Sequence, residues 1–196
     1  MSGIASVDRQ SPPRLFGFWI FLMSDALIFA LLFAIYATQL HATDGGPTGH
    51  ELFDIRSTSL QTAVLLASSF TFAMATLNLQ YRPQQPCYLV VWVVLSLALG
   101  ILFMGLELHD FSAMLDKGAP PQRSGYLSAL YTLVSTHGLH VAAGSLWLAL
   151  LLVQIKVFGV DAIVKRRVQC LALFWHFLDI IWVAIYAVVY LQGLTG

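Results

Sequence analysis

Six ionisable side chains sit inside long apolar stretches of this chain: Asp25, Glu107, His137, His140, His176 and Asp179. Hydrocarbon makes such placements costly, from about 2.5 to well over 10 kcal/mol depending on the reference state. Each group therefore needs a partner on another helix or a trapped water. His176 and Asp179 are three residues apart, as are His137 and His140. On a helix each pair occupies one face, one turn apart. Imidazole and carboxylate together suit Zn, Fe or Cu, and two such pairs on facing helices have the right chemistry. Neither pair has a third ligand at a telling spacing, however. The same five residues, Glu107, His137, His140, His176 and Asp179, serve as an interhelical hydrogen-bonded network, and that is the role expected of them. No metal site, cofactor site or catalytic residue is expected in this chain.

Asp25 is the one charge in its apolar run, about nine residues in, or roughly 14 Å along a helix. Burial disfavours the charged form of a carboxyl group, and intramembrane carboxyl groups that exchange protons are components of proton relays. Asp25 has two readings, a neutral buried carboxyl group with a structural role only and support of a proton pathway, and the second is the role assigned to it. Glu107 lies towards the end of its run, where Arg123 or a lipid headgroup would be its partner. The stripe Trp175, Asp179, Trp182 and Tyr186, spaced 4, 3 and 4, lies beside His176 and presents polar tips to a neighbouring helix. The remaining aromatic residues suit packing and interfacial belts.

Five apolar runs must position these groups: Leu15 to Leu40, Ser57 to Tyr81, Cys87 to about His109, Ser124 to about Phe158, and Val168 to Leu191. Each exceeds or approaches the roughly 20 residues that cross a bilayer as a helix, and far exceeds a barrel strand of about 9–11. The connecting segments are a polar start at 1–14, a turn at Gly45-Gly-Pro-Thr-Gly49, Arg82-Pro-Gln-Gln-Pro86, a loop from Asp110 to Arg123, and a basic loop from Gly159 to Arg167. Small residues at Ala63, Ala67 and Thr71, and at Ser135, Gly138, Ala142, Ser145 and Ala149, form smooth faces suited to helix contact. The expected fold is all-α, one membrane domain of five helices over 15–196 preceded by a short cytoplasmic segment.

Composition agrees. Of 196 residues, 58% are hydrophobic and 10% charged, with mean hydropathy +0.77. A soluble domain has about 25% charged residues. Net charge is zero and no charge block points to nucleic acid. Cys87 and Cys170 have no metal-type spacing, and a disulfide is not expected. No phosphate-binding glycine loop, CxxC or nucleophile elbow is present, and no internal repeat suggests a transporter. With the N-terminus inside, seven Lys and Arg fall on the cytoplasmic side (Arg9, Arg14, Arg82, Lys156, Lys165, Arg166 and Arg167) and three outside (Arg56, Lys117 and Arg123). That asymmetry follows the positive-inside rule and puts the C-terminus in the periplasm.

Three stretches on three separate spans, in order, carry a resemblance: Phe16-Gly-Phe-Trp-Ile-Phe-Leu-Met-Ser-Asp25, Thr136-His-Gly-Leu-His-Val141 and Trp175-His-Phe-Leu-Asp-Ile-Ile-Trp182. The chain resembles subunit III of the haem–copper oxidase superfamily over roughly Leu15 to Gly193. Asp25 stands where many members have Glu, and Glu107 matches a family acidic position. Five spans, Gly45-Gly-Pro-Thr-Gly49 and Pro121-Gln-Arg-Ser-Gly-Tyr-Leu-Ser-Ala129 resemble the cytochrome o ubiquinol oxidase branch. The resemblance implies a non-redox accessory subunit in a bacterial inner membrane. Catalytic subunit I would hold haem b, haem o and copper, oxidise ubiquinol, reduce O2 to water and pump protons. It also implies bound phospholipids, contacts with the other oxidase subunits and support of proton uptake. The runner-up reading is the equivalent subunit of a cytochrome c oxidase or nitric oxide reductase.

Overall fold

The structure, a computed structural model, describes residues 12–40, 42, 55–81 and 86–191. Most of the polar start, the Gly45–Gly49 turn and the 82–85 turn lie outside the described residues. Five helices account for nearly everything else: α1 (Pro12–Gln39), α2 (Ile55–Tyr81), α3 (Pro86–Asp116), α4 (Gly125–Phe158) and α5 (Ala162–Ile185). A 3-10 turn, Pro121–Arg123, precedes α4, and a π turn, Tyr186–Leu191, ends α5. All five helices are long and apolar enough to cross a membrane. Among the described residues there is no strand.

Helices α3 and α5 outrun their apolar stretches, α3 past His109 and α5 by starting before Val168. At 1.5 Å per residue, the 34 residues of α4 reach about 50 Å, well beyond a hydrocarbon core of about 30 Å. Polarity alone does not stop a helix; a conformational breaker does. Asp110 and Asp116, expected in a loop, are helical because α3 continues until Gly118 takes a positive φ of +71. There Ala119 N–H bonds the Met114 carbonyl and Gly118 N–H bonds the Leu115 carbonyl, closing the helix in a Schellman turn. α4 starts where Ser124, with extended backbone, accepts from Leu127 N–H at 3.2 Å. It stops at Gly159, φ +74. Lys165, Arg166 and Arg167 likewise belong to the first turns of α5 rather than to a loop.

Helices α2, α3, α4 and α5 pack cyclically, each against its neighbours in order, with α5 closing back on α2. Helix α1 lies outside this ring, against α4 and, less extensively, α5. Short connections make neighbours in the ring antiparallel. The α1/α4 contact is antiparallel too: Gln39 meets Gly125, Tyr36 meets Tyr126, Asp25 meets His140 and Phe18 meets Trp147.

The α2/α3 contact is tight because Ser68, Thr71 and Ser96 are small and bond one another. Thr71 Oγ1 lies 2.8 Å from Ser96 Oγ, and Ser68 Oγ donates to the Ser96 carbonyl at 3.1 Å. The small face of α2 thus runs through Ser68 and Thr71. Ala63 and Ala67, expected on that face, point outward, because a smooth stripe is usable by a partner but does not select one.

Trp175 of α5 fills the middle of the ring. A Cβ on Gly100 of α3 would lie 3.0 Å from its ring, and one on Gly144 of α4 would also lie 3.0 Å away. Its indole N–H donates to Ser68 Oγ of α2 at 3.1 Å. Trp175 and Trp182 are interior residues, not belt residues, each 1% exposed. The polar tips of α5 form a ladder on α2. Trp182 Nε1–H donates to Thr62 Oγ1 at 3.1 Å, Tyr186 hydroxyl lies 3.1 Å from Ser59 Oγ, and His176 Nδ1 lies 2.6 Å from Ser69 Oγ. Inside a membrane, where lipid does not drive helices together, such bonds and close packing hold the bundle.

Candidate functional site

The six sequence-expected groups do not converge on one point. They fall into three places, set by which helix each face meets.

Among the described side chains of α1, Asp25 is buried on the inner face with Leu22, Phe29 and Tyr36. Its Oδ1 lies 3.1 Å from His140 Nε2 on α4. The other ring nitrogen, His140 Nδ1, lies 2.7 Å from the Thr136 carbonyl one turn back. A carbonyl only accepts, so Nδ1 carries a hydrogen. A proton placed between Asp25 Oδ1 and His140 Nε2 lies on nitrogen beside a carboxylate or on oxygen beside a neutral imidazole, and both arrangements carry no net charge. Phe29 packs on the His140 ring, centroids 5.2 Å apart, and covers the pair from one side.

His137 faces the ring interior and is fully buried. Its Nε2–H donates to the Leu178 carbonyl of α5 at 3.2 Å. Phe103 meets the imidazole edge-on at 5.8 Å and Trp182 covers it at 5.1 Å. Glu107 of α3 is buried next to Gly138, the residue after His137. A Cβ on Gly138 would stand 2.7 Å from Glu107 Oε1, so this glycine makes room for the carboxyl group. Arg123, expected as an alternative to a lipid headgroup for the partner of Glu107, instead donates to the Gly118 carbonyl and secures the turn after α3. Burial against α4 turns Glu107 inward, away from the loop.

His176 and Asp179 sit on the α2 side of α5. His176 Nδ1 is 3.7 Å from Asp179 Oδ2 and 2.6 Å from Ser69 Oγ. Thus the imidazoles of His137, His140 and His176 turn to α5, α1 and α2 respectively. Among the described residues no three His, Cys, Asp or Glu side chains gather as metal ligands would.

Asp110 is a polar centre that sequence reasoning missed. It accepts from Ser57 Oγ at 2.9 Å and from Gln61 Nε2 at 2.7 Å, tying the start of α2 to the end of α3. Gln61, an amide inside an apolar run, was the available signal, and the structure buries it.

A bundle of five membrane helices, with paired carboxyl and imidazole groups between them, is the context for the comparisons with known proteins. The sequence model of the family cytochrome c oxidase subunit III matches residues 13–194. The chain is 43% identical over 178 residues to the cytochrome bo(3) ubiquinol oxidase subunit 3 of Pseudomonas aeruginosa, covering 91% of this chain and 84% of that one. It is 38% identical over 182 residues to the same-named protein of Buchnera aphidicola subsp. Baizongia pistaciae, covering 93% of each. Against the cytochrome c oxidase subunit 3 of Bacillus sp. PS3, identity is 37% over 186 residues, covering 93% and 87%. A match over almost the whole length, on the same spans that hold Asp25, His140 and Trp175, makes this chain a member of the cytochrome c oxidase subunit III family.

Proposed function

We propose that the chain is the accessory third subunit of a proton-pumping ubiquinol oxidase in a bacterial cytoplasmic membrane. The observation that favours a quinol over cytochrome c as donor is the higher identity to a ubiquinol oxidase subunit, 43%, than to a cytochrome c oxidase subunit, 37%. In this reading subunit I carries haem b, haem o and copper and performs ubiquinol oxidation and O2 reduction. This chain contributes assembly, phospholipid binding and support of proton uptake through Asp25. Glu107, His137, His140, His176 and Asp179 act as structural polar contacts; their imidazoles are engaged by the Leu178 carbonyl, by Asp25 and Thr136, and by Ser69. Residues 1–14 form a cytoplasmic segment and the rest one membrane domain.

The purified complex should consume O2 with ubiquinol as donor and not with reduced cytochrome c. The opposite preference, or nitric oxide consumption, would select the runner-up reading. Stripping this subunit from the complex should leave its haem spectrum and copper content intact, and loss of one haem or copper equivalent would refute the accessory role.

The orientation has its own test. Seven Lys and Arg fall on one side and three on the other. Alkaline phosphatase fused after Gly196 should be active, as it folds in the periplasm. An inactive phosphatase fusion, with a fluorescent cytoplasmic reporter at the same place, would invert the topology.

A further inference from the structure

Between the C-terminal half of α2 and the N-terminal half of α5 runs an open groove of about 570 Å³. Its polarity is graded along its length. Gln80, Lys165 and Gln169 line one end, while Leu79, Ala172 and Leu173 supply apolar wall. Lys165 is in the first turn of α5 and Gln80 is the penultimate residue of α2, so both stand at the same membrane interface. The deep end is marked by His176. Eleven residues separate Lys165 from His176, about 16 Å at 1.5 Å per residue, or about half of a 30 Å hydrocarbon core. Beyond that depth the two helices are joined side chain to side chain, by Ser69 with His176, Thr62 with Trp182 and Ser59 with Tyr186. The groove therefore opens at one interface and closes near the bilayer midplane.

A groove that opens at one interface and closes near mid-depth fits a chain that enters from a single leaflet. The charge selects the headgroup. Among the described residues Lys165 is the one charged side chain lining the groove, Gln80 and Gln169 add amide donors, and no carboxylate lines it. Arg166 follows on the same turn, while Arg167 donates to Gln154 of α4, and the positive end of the α5 dipole points to this interface. Basic groups at a membrane interface attract anionic lipid headgroups.

We infer that this groove holds an anionic glycerophospholipid of the leaflet at the α5 N-terminus, its phosphate at Lys165, Gln80 and Gln169 and one acyl chain along Leu79, Ala172 and Leu173. The inference deepens the lipid part of the proposed function, naming the site, the leaflet and the headgroup charge. It is independent of the electron donor.

The test uses the whole oxidase complex in phosphatidylcholine nanodiscs with a trace of phosphatidylglycerol bearing a photoreactive acyl chain. Cross-linked peptides are read by mass spectrometry, and the matching phosphatidylcholine probe is the control. The phosphatidylglycerol probe should label peptides containing Leu79 and Leu173 several times more than the control. Lys165→Gln should lower that labelling about fivefold, the worth of one basic group near a membrane surface. Lys165→Arg should keep it, and Ala172→Trp, which fills the groove, should remove it. If Ala172→Trp fails to assemble, the Gln and Arg variants decide. Equal labelling by both probes, or no change in Lys165→Gln, would overturn the anionic site. Absence of labelling in the wild type, as when another subunit covers the groove, would overturn it as well. Since labelling needs no turnover, either failure leaves the quinol oxidase reading untouched.

Discussion

Trp175→Ala is expected to release this subunit from the purified complex at a much lower temperature than wild type. The indole is held between α3 at Gly100 and α4 at Gly144, with its N–H on Ser68 of α2. One side chain of α5 thus touches every other member of the four-helix ring. Large-to-small substitution of a buried Trp costs about 3–5 kcal/mol in water-soluble proteins. In a bilayer the removed atoms would otherwise contact lipid rather than water, so the transfer part falls away. The cavity and the lost dispersion contacts remain, favouring the lower value, about 3 kcal/mol. Trp175→Phe should be far milder, losing mainly the bond to Ser68, about 1 kcal/mol. Gly144→Val should resemble the alanine variant, because a rigid ring at 3.0 Å cannot yield as a flexible side chain would. Subunit retention after graded heating, followed by size-exclusion chromatography, measures all three. Wild-type retention in Trp175→Ala would show that the ring is held together elsewhere.

The second large effect is expected at Asp25 and His140, where assembly and proton transfer should separate. His140→Leu leaves a buried carboxyl group without its partner, a loss of about 1–3 kcal/mol, more if the group is charged. Its assembly should suffer. Asp25→Asn keeps the contact, since His140 Nε2 can accept from the amide while Nδ1 still donates to the Thr136 carbonyl. That variant should assemble normally and yet slow proton uptake, because an amide cannot release the shared proton. An apolar carbodiimide, which reacts only with a protonated carboxyl group, reports the proton directly. It should modify Asp25 in the wild type, as read by mass spectrometry of the labelled peptide. Modification restricted to the loop carboxylates Asp44, Glu51 and Asp54, together with unaltered proton uptake in Asp25→Asn, would make Asp25 a structural residue only.

Run length and polarity in the sequence were enough to define an all-α membrane bundle of five spans, because hydrocarbon forces backbone groups to be satisfied within each segment. They were also enough to single out Asp25, His137, His140, His176 and Asp179, since an ionisable group in such a run always demands a partner. Helix ends were less legible: Asp110, Asp116 and Lys165 to Arg167 are polar, yet helix continues through them until glycine or a capped turn intervenes. The partners themselves were decided only by tertiary structure. A helical face names the direction a side chain takes and says nothing about which neighbour lies there. His140 and His137 share one face, but three residues turn a helix by 300°, and that 60° offset sends one to Asp25 on α1 and the other to the Leu178 carbonyl on α5. The same limit explains Glu107, which meets Gly138 rather than Arg123. It also explains the small residues of α2, where Ser68 and Thr71 found α3 while Ala63 and Ala67 were left facing outward.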